Sequence, residues 1–121
     1  MPKKLYLKYG KTLIEEGDTN NKSAYIIERG EVGIFKGGKH ICDLGENSIV
    51  GEMALITGEP RSATVKSNSD DCTVKEITTE DFRYLWRFQP SALLPVLTLV
   101  TERLSSAMDM LSNLQKTLKD R

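Results

Sequence analysis

The sequence changes character near Thr78, and this change limits the folds open to the chain. Before it, short apolar and β-branched runs alternate with polar or glycine-containing turns at roughly eight- to twelve-residue intervals, a spacing typical of antiparallel rolls and barrels. After Pro95 neither glycine nor proline interrupts the chain, so one long helix can form. The predicted strands cover residues 5–9, 12–14, 24–27, 32–35, 40–44, 62–67 and 73–77. We therefore predict a mostly β fold, an antiparallel β-roll (jelly roll) over about residues 5–77, with α-helices at its C-terminal end.

A short helix is predicted over residues 79–89. Thr78 or Thr79 can accept a hydrogen bond from the free N–H groups at its start, and Pro90 ends it. Three apolar residues share one face of this helix, and we expect that face to pack on the roll. These residues are Phe82, Leu85 and Trp86.

The long helix, predicted over residues 91–119, repeats apolar residues with a seven-residue period. The residues of this apolar seam are Leu97, Val100, Leu104, Ala107, Leu111, Leu114 and Leu118. A seam sustained over three heptads predicts a two-stranded coiled coil, and hence a homodimer. The alternative is a long surface helix that is ordered by helix propensity alone.

The charge balance excludes one class of function. Lys and Arg total 17, as do Asp and Glu, so the formal net charge is +0. A chain this balanced has no basic surface for direct binding to nucleic acid or to an anionic membrane. No apolar run approaches the ~20 residues needed to span a bilayer, and the N-terminus does not resemble a signal peptide. We expect a cytoplasmic protein in which Cys42 and Cys72 are reduced core residues.

Catalytic chemistry lacks the side chains that it needs. The chain has a single histidine, His40, so the histidine cluster of a metal-dependent cupin-type enzyme cannot be assembled, and we expect no metal. No pairing of Ser or Cys with His and an orienting acid is visible either. We expect a binding protein rather than an enzyme.

Residues 51–65 contain the groups needed to bind a small anion that carries a sugar. Gly51 lets the backbone approach a ligand closely, and residues 53–56 can form a helical turn whose free N–H groups favour a phosphate. Arg61 adds a planar fork of donors suited to phosphate oxygens, and Glu52 can accept a hydrogen bond from a sugar hydroxyl. The alternative is a strand–turn–strand in which Glu52 and Arg61 form a weak surface ion pair.

This stretch, G-E-M-A-L followed by G-E-P-R-S-A-T-V, resembles the phosphate-binding cassette of the cyclic nucleotide-binding domain family. The motif G-K-T-L-I-E-E-G-D at residues 10–18 is similar to the opening strands of the same family's jelly roll. The resemblance implies that Glu52 binds the ribose 2′-hydroxyl and Arg61 the exocyclic phosphate oxygens. One departure is Val50, where the family usually has Phe or Tyr. The implied ligand-binding residues are Gly51, Glu52, Met53, Ala54, Arg61, Ser62 and Ala63.

The resemblance leaves the ligand open between cAMP and cGMP. Ser62 offers a hydroxyl at the position where guanine-preferring relatives often have Thr and adenine-preferring relatives often have Ala. On the long helix, Ala107 and Met108 replace the Thr and Ser that meet adenine in catabolite-activator-like proteins. We rank cAMP first. The candidate base contacts are Arg103, Ala107, Met108 and Asp109.

The resemblance implies a regulatory sensor, a single domain over residues 1–121 that passes nucleotide binding to an output domain through its helices. Because Met1 is a natural start, we expect that output domain, either DNA-binding or a signalling enzyme, to follow Arg121. In catabolite-activator-like relatives the long helix is the dimer seam. The alternative is a degenerate roll that serves only as a dimerisation or interaction module.

Overall fold

The computed structural model describes residues 2–119, without the side chains at positions 106, 110 and 117–119. Strands dominate up to Ile77 and helices follow. The elements are β1 (Lys3–Leu7), β2 (Thr12–Ile14), β3 (Ala24–Arg29), β4 (Val32–Lys36), β5 (Lys39–Leu44), β6 (Ile49–Val50), α1 (Glu52–Thr57), β7 (Thr64–Ser67), β8 (Cys72–Ile77), α2 (Thr79–Phe88), a 3-10 turn (Pro90–Leu93) and α3 (Leu94–Lys119).

The strands form two four-stranded antiparallel sheets. Their orders are β1-β8-β3-β6 and β2-β7-β4-β5. The apolar core lies between them, because its buried residues come from both sheets: Leu7, Ile14, Tyr25, Ile27, Val32, Val50, Val65, Cys72 and Val74. This architecture confirms the predicted antiparallel β-roll with C-terminal helices.

Strand β6 is the one element of the roll that the sequence did not predict. It has only two residues, both buried, and pairs with β3 through Tyr25↔Val50 and Ile26↔Ile49. Two residues cannot show the alternation by which a strand is recognised. The strand matters because it delivers the chain from the core directly to Gly51.

Helix α2 begins as predicted, but its apolar face is only partly covered. Thr78 Oγ1 accepts a hydrogen bond from the N–H of Asp81 (3.0 Å), and Asp81 Oδ2 accepts one from the N–H of Thr78 (3.1 Å), which is a capping box. Phe82 and Leu85 are half-buried, whereas Trp86 is 67% exposed. The prediction that Trp86 packs on the roll is therefore wrong. Consecutive helical residues point about 100° apart, so Trp86 is turned away from the side that Leu85 presents.

The second helical segment starts later than predicted. A 3-10 turn occupies Pro90–Leu93, and α3 begins only at Leu94, with Pro95 in its first turn. Proline is tolerated there because the N–H groups of a first turn have no intrahelical partner. Leu93 is 3% exposed and fixes the entry to α3 against the rest of the protein.

The apolar seam of α3 is not covered by the roll. Four of its leucines are between 52% and 61% exposed, Val100 is half-buried and Ala107 is exposed. The exposed leucines are Leu97, Leu104, Leu111 and Leu114; the side chain of Leu118 lies outside the described residues. Across residues 2–119, no helix has the length and apolar character that a membrane crossing requires.

The two cysteines differ in environment. Both thiols are free, and Cys72 is buried in the core as predicted. Cys42 is exposed, so its assignment to the core is wrong. The reason is that β5 is one of the two edge strands of its sheet, and five of its six residues are exposed, which the sequence of a single strand does not reveal.

Candidate functional site

The site is built around Arg61, which is 4% exposed. Its Nη1 atom donates a hydrogen bond to the carbonyl oxygen of Gly51 (3.0 Å), and its Nη2 atom donates one to the carbonyl oxygen of Ser23 (2.6 Å). Its own backbone is also fixed, since its N–H donates to Asp18 O (3.0 Å) and its carbonyl accepts from Gly17 N–H (2.8 Å). Arg61 is therefore held at both ends by the surrounding loops.

Gly51 makes room for this guanidinium. Its φ of 77° lies in the left-handed region, where the chain turns from β6 into α1. A Cβ at this position would lie 2.6 Å from Arg61 Nη1, 2.9 Å from Ser23 O and 2.9 Å from Ile14 Cδ1. Both the backbone conformation and the close approach of Arg61 thus require glycine here.

The charge of Arg61 is only weakly balanced by the protein. Burial lowers the pKa of its guanidinium, while Tyr25, Asp18 and Glu52 act in the opposite direction. None of the ion pairs between described residues includes Arg61, and its buried Nε has no hydrogen-bond partner among them. A buried cation with an unused N–H donor favours an anion beside it.

Glu52 is paired with Arg103 and not with Arg61, the partner in the alternative interpretation of the sequence. It is the first residue of α1, only 8% exposed, and its Oε1 lies 2.5 Å from Nη1 of Arg103 on α3. The same nitrogen donates to the carbonyl oxygen of Ile49 (2.7 Å). The alternative of a surface ion pair between Glu52 and Arg61 is therefore wrong.

A cavity opens beside Arg61, between the cassette and α3. The predicted residues that line it are Met53, Ala54, Arg61, Ser62, Ala63 and Arg103. Gly51 and Glu52 border it through their contacts with Arg61 and Arg103. Ala107, Met108 and Asp109 are exposed on α3 and do not line it. In the described part of the chain, no group of three or more His, Cys, Asp or Glu side chains is arranged to hold a metal.

Ser23 is the part of this site that sequence reasoning did not find. It contributes its backbone carbonyl. Every residue has a backbone carbonyl, so the residue type gives no indication of this role. Its 6% exposure and its position directly before β3 make it a fixed acceptor for Arg61.

The chain resembles known proteins over most of its length. A family model for the cyclic nucleotide-binding domain matches residues 4–87. A cyclic nucleotide-binding domain from Methylobacillus flagellatus is 25% identical with a TM-score of 0.78, over 90% of this chain and 65% of that one. The Thermus thermophilus catabolite activator protein is 26% identical with a TM-score of 0.74, over 94% and 55%. A regulatory subunit of a cAMP-independent protein kinase A from Trypanosoma cruzi, bound to guanosine, is 28% identical with a TM-score of 0.66, over 69% and 30%.

The chain spans from 30% to 65% of the length of these three proteins. The matched residues 4–87 include the cassette and nearly all of the two sheets and α2, more than half of the chain. The chain belongs to the cyclic nucleotide-binding domain family.

Proposed function

We propose that this domain binds a cyclic nucleotide in the cavity between Arg61 and Glu52 and transmits binding through α3. The observation that carries the proposal is the buried Arg61, whose charge no described carboxylate pairs and whose Nε donor has no partner. A cyclic phosphodiester supplies one negative charge and oxygens that can accept from such a fork.

The neighbouring residues suit the rest of the nucleotide. Glu52 is close to the cavity, and a carboxylate has about four acceptor sites, so it can bind a ribose hydroxyl while it stays paired with Arg103. Ala54 and Ser62 line the cavity, and by the family resemblance their amides would complete the phosphate cradle. The lining also contains the carboxylate of Glu59 but neither His nor Cys, and we propose binding without hydrolysis.

For the base, we rank cAMP before cGMP. Family membership alone does not decide it, because the Trypanosoma cruzi relative is described as cAMP-independent and bound to guanosine. Ser62 lines the cavity and is exposed, so its hydroxyl is available to a guanine amino group. Met108 and Asp109 would reach the base only if α3 or a second chain moved towards the cavity.

The output would run through α3. Arg103 ties this helix to Glu52 and β6, and the exposed leucines of the seam offer a surface for a second copy of the chain. We propose a homodimer along this seam and an output domain beyond Arg121. A ligand shifts such a helix only if it binds one arrangement more tightly than another.

Thermal unfolding with and without nucleotide tests the function. A ligand present at ~100 times its Kd adds about 2.7 kcal/mol of stability, which for a domain of this size raises Tm by roughly 10 °C. We expect cAMP or cGMP to produce this shift and 5′-AMP, with its open phosphate, to produce much less. If neither cyclic nucleotide moves Tm while the protein is still dimeric, the dimerisation-only alternative replaces this proposal.

A further inference from the structure

A partly buried hydrogen-bond chain runs from Arg61 through Ser23 and Asn21 to the tyrosine of β3, and from there to Glu76. Tyr25 is 3% exposed, and its hydroxyl accepts from Asn21 Nδ2 (2.8 Å) and donates to Glu76 Oε2 (3.3 Å). Asn21 Oδ1 in turn accepts from the backbone N–H of Ser23 (3.0 Å). The carbonyl of Ser23 is the acceptor that holds Arg61 Nη2 at 2.6 Å.

The sheet places Tyr25 beside the two segments that carry the acceptors of the guanidinium. Strand β3 lies between β8 and β6, and Tyr25 pairs with Glu76 on one side and with Val50 on the other. Val50 directly precedes Gly51, whose carbonyl holds Arg61 Nη1. Ser23 lies just before β3, outside the strand ladder, and the Asn21–Tyr25 link is a second hold on the loop that carries its carbonyl.

We propose that Tyr25 is a positioning residue for phosphate binding, acting through Asn21 and the Ser23 carbonyl on the orientation of Arg61. The proposal rests on the proposed function, because it assigns Tyr25 to the phosphate half of that same site. Without the hydroxyl, the loop at Ser23 loses its side-chain link to β3 and β8, so the carbonyl that holds Nη2 of Arg61 beside the cavity is fixed less tightly.

The side chain is suited to this role. Burial is the main cause that raises the pKa of Tyr25, so its hydroxyl keeps its proton and can donate to Glu76 while accepting from Asn21. A phenylalanine has nearly the same volume and would fill the same place in the core, so the substitution Tyr25→Phe removes the hydrogen bonds with little change in packing.

The test distinguishes an effect on phosphate binding from an effect on binding of the rest of the ligand. Whichever of cAMP and cGMP binds the wild-type chain more tightly is compared with its parent nucleoside, which lacks the phosphate, in competition against a fluorescent cyclic nucleotide. We expect Tyr25→Phe and Asn21→Ala each to weaken the cyclic nucleotide by about three- to ten-fold, the range of one lost hydrogen bond. The affinity of the nucleoside should stay within about two-fold of wild type by the same reasoning.

Two controls keep the result specific. Tyr84→Phe removes a hydroxyl from a tyrosine that is 50% exposed on α2 and should change neither affinity. In an Arg61→Lys background, Tyr25→Phe should cause no further loss, because the group on which Tyr25 acts has gone. Thermal unfolding of each variant shows that it is folded.

Two results would overturn the proposal. Equal weakening of nucleotide and nucleoside by Tyr25→Phe would mean that the hydroxyl only maintains the fold, and full retention of both affinities would mean that the hydrogen-bond chain does not orient Arg61. A wild-type chain that binds neither cyclic nucleotide overturns the proposed function itself, which is a different failure from that of Tyr25.

Discussion

Arg103 on helix α3 lies with its Nη1 atom 2.5 Å from Oε1 of Glu52, at the first residue of the cassette helix. The same atom donates to the carbonyl of Ile49, so one guanidinium joins the long helix to both β6 and α1. The side chain of Arg103 therefore connects the cavity beside Arg61 to the helix that carries the seam. A change in the position of Glu52 acts directly on Arg103. Arg103 lies about one helical turn before Ala107, in the middle of the seam.

The first prediction concerns this link. Arg103→Ala leaves the largely buried Glu52 carboxylate without its cation, and we expect a loss of about 1–2 kcal/mol in the free energy of unfolding, reduced from that of a fully buried pair because Arg103 is itself partly exposed. Urea unfolding measures this loss. Arg87→Ala, a change at an exposed arginine on α2, is the matched control. Equal stability of the two variants would mean that the Arg103–Glu52 pair contributes nothing.

The second prediction separates backbone strain from the contact with Arg61. Gly51→Ala and Gly58→Ala both place alanine at a positive φ, 77° and 74°, but only the Cβ at 51 meets Arg61 Nη1. Both variants should lose about 1–2 kcal/mol of stability from strain. Only Gly51→Ala should also weaken nucleotide binding by roughly ten-fold or more, the effect of about 1.4 kcal/mol or more of displaced contacts. Calorimetric titration measures the affinities, and similar binding by the two variants would contradict the role of Gly51.

The third prediction tests the seam of α3. Leu111→Asp would place an unpaired carboxylate against its counterpart in a coiled-coil dimer and should split that dimer while the roll stays folded. Ser112→Asp adds the same charge one residue away, off the a and d positions, and should leave the dimer intact. Light scattering with and without nucleotide measures the mass. A wild-type chain that is monomeric at tens of micromolar in both states, or a dimer that tolerates Leu111→Asp, would show that the seam is not the contact.

The fourth prediction concerns the choice of base. Ser62 lines the cavity, and if its hydroxyl accepts from or donates to guanine, Ser62→Ala should weaken cGMP by about three- to ten-fold and change cAMP by less than two-fold. Competition between the two nucleotides on wild type and variant measures the ratio. An unchanged affinity for cGMP would remove Ser62 from base selection.

Local chemistry was what the sequence could predict. A threonine cap at the start of α2, left open between Thr78 and Thr79, and the close backbone approach at Gly51 each depend on residue types within a few positions. Both are therefore visible in a short stretch. The contacts of the site are not local: Arg103 meets Glu52 across 51 positions, and Arg61 meets Ser23 across 38. Which arginine pairs with Glu52 is decided by how α3 packs on the roll.

The sequence also could not predict which side chains the neighbouring elements would bury. The apolar pattern of α2 correctly placed Phe82 and Leu85 together, but periodicity gives the face of a helix without saying how much of it the roll covers. Trp86 therefore lies exposed, as does Cys42 on the edge strand β5. Whether a strand lies at the edge of a sheet, and how much of a helix face the roll covers, depends on which elements become neighbours in the folded chain.

The most direct test of nucleotide binding by Arg61 is calorimetric titration of cAMP and cGMP into the wild-type chain, Arg61→Ala and the control Arg29→Ala. Arg29 is an exposed arginine of β3, paired with Asp71 (3.1 Å) and distant in sequence from the cassette. Removal of one partner from a desolvated charge pair costs ~3–5 kcal/mol, so Arg61→Ala should weaken binding by roughly 100-fold or more. Arg29→Ala should bind like wild type. Wild-type protein that gives no heat with either nucleotide, or a folded Arg61→Ala variant that binds as tightly as Arg29→Ala, would contradict phosphate recognition by Arg61.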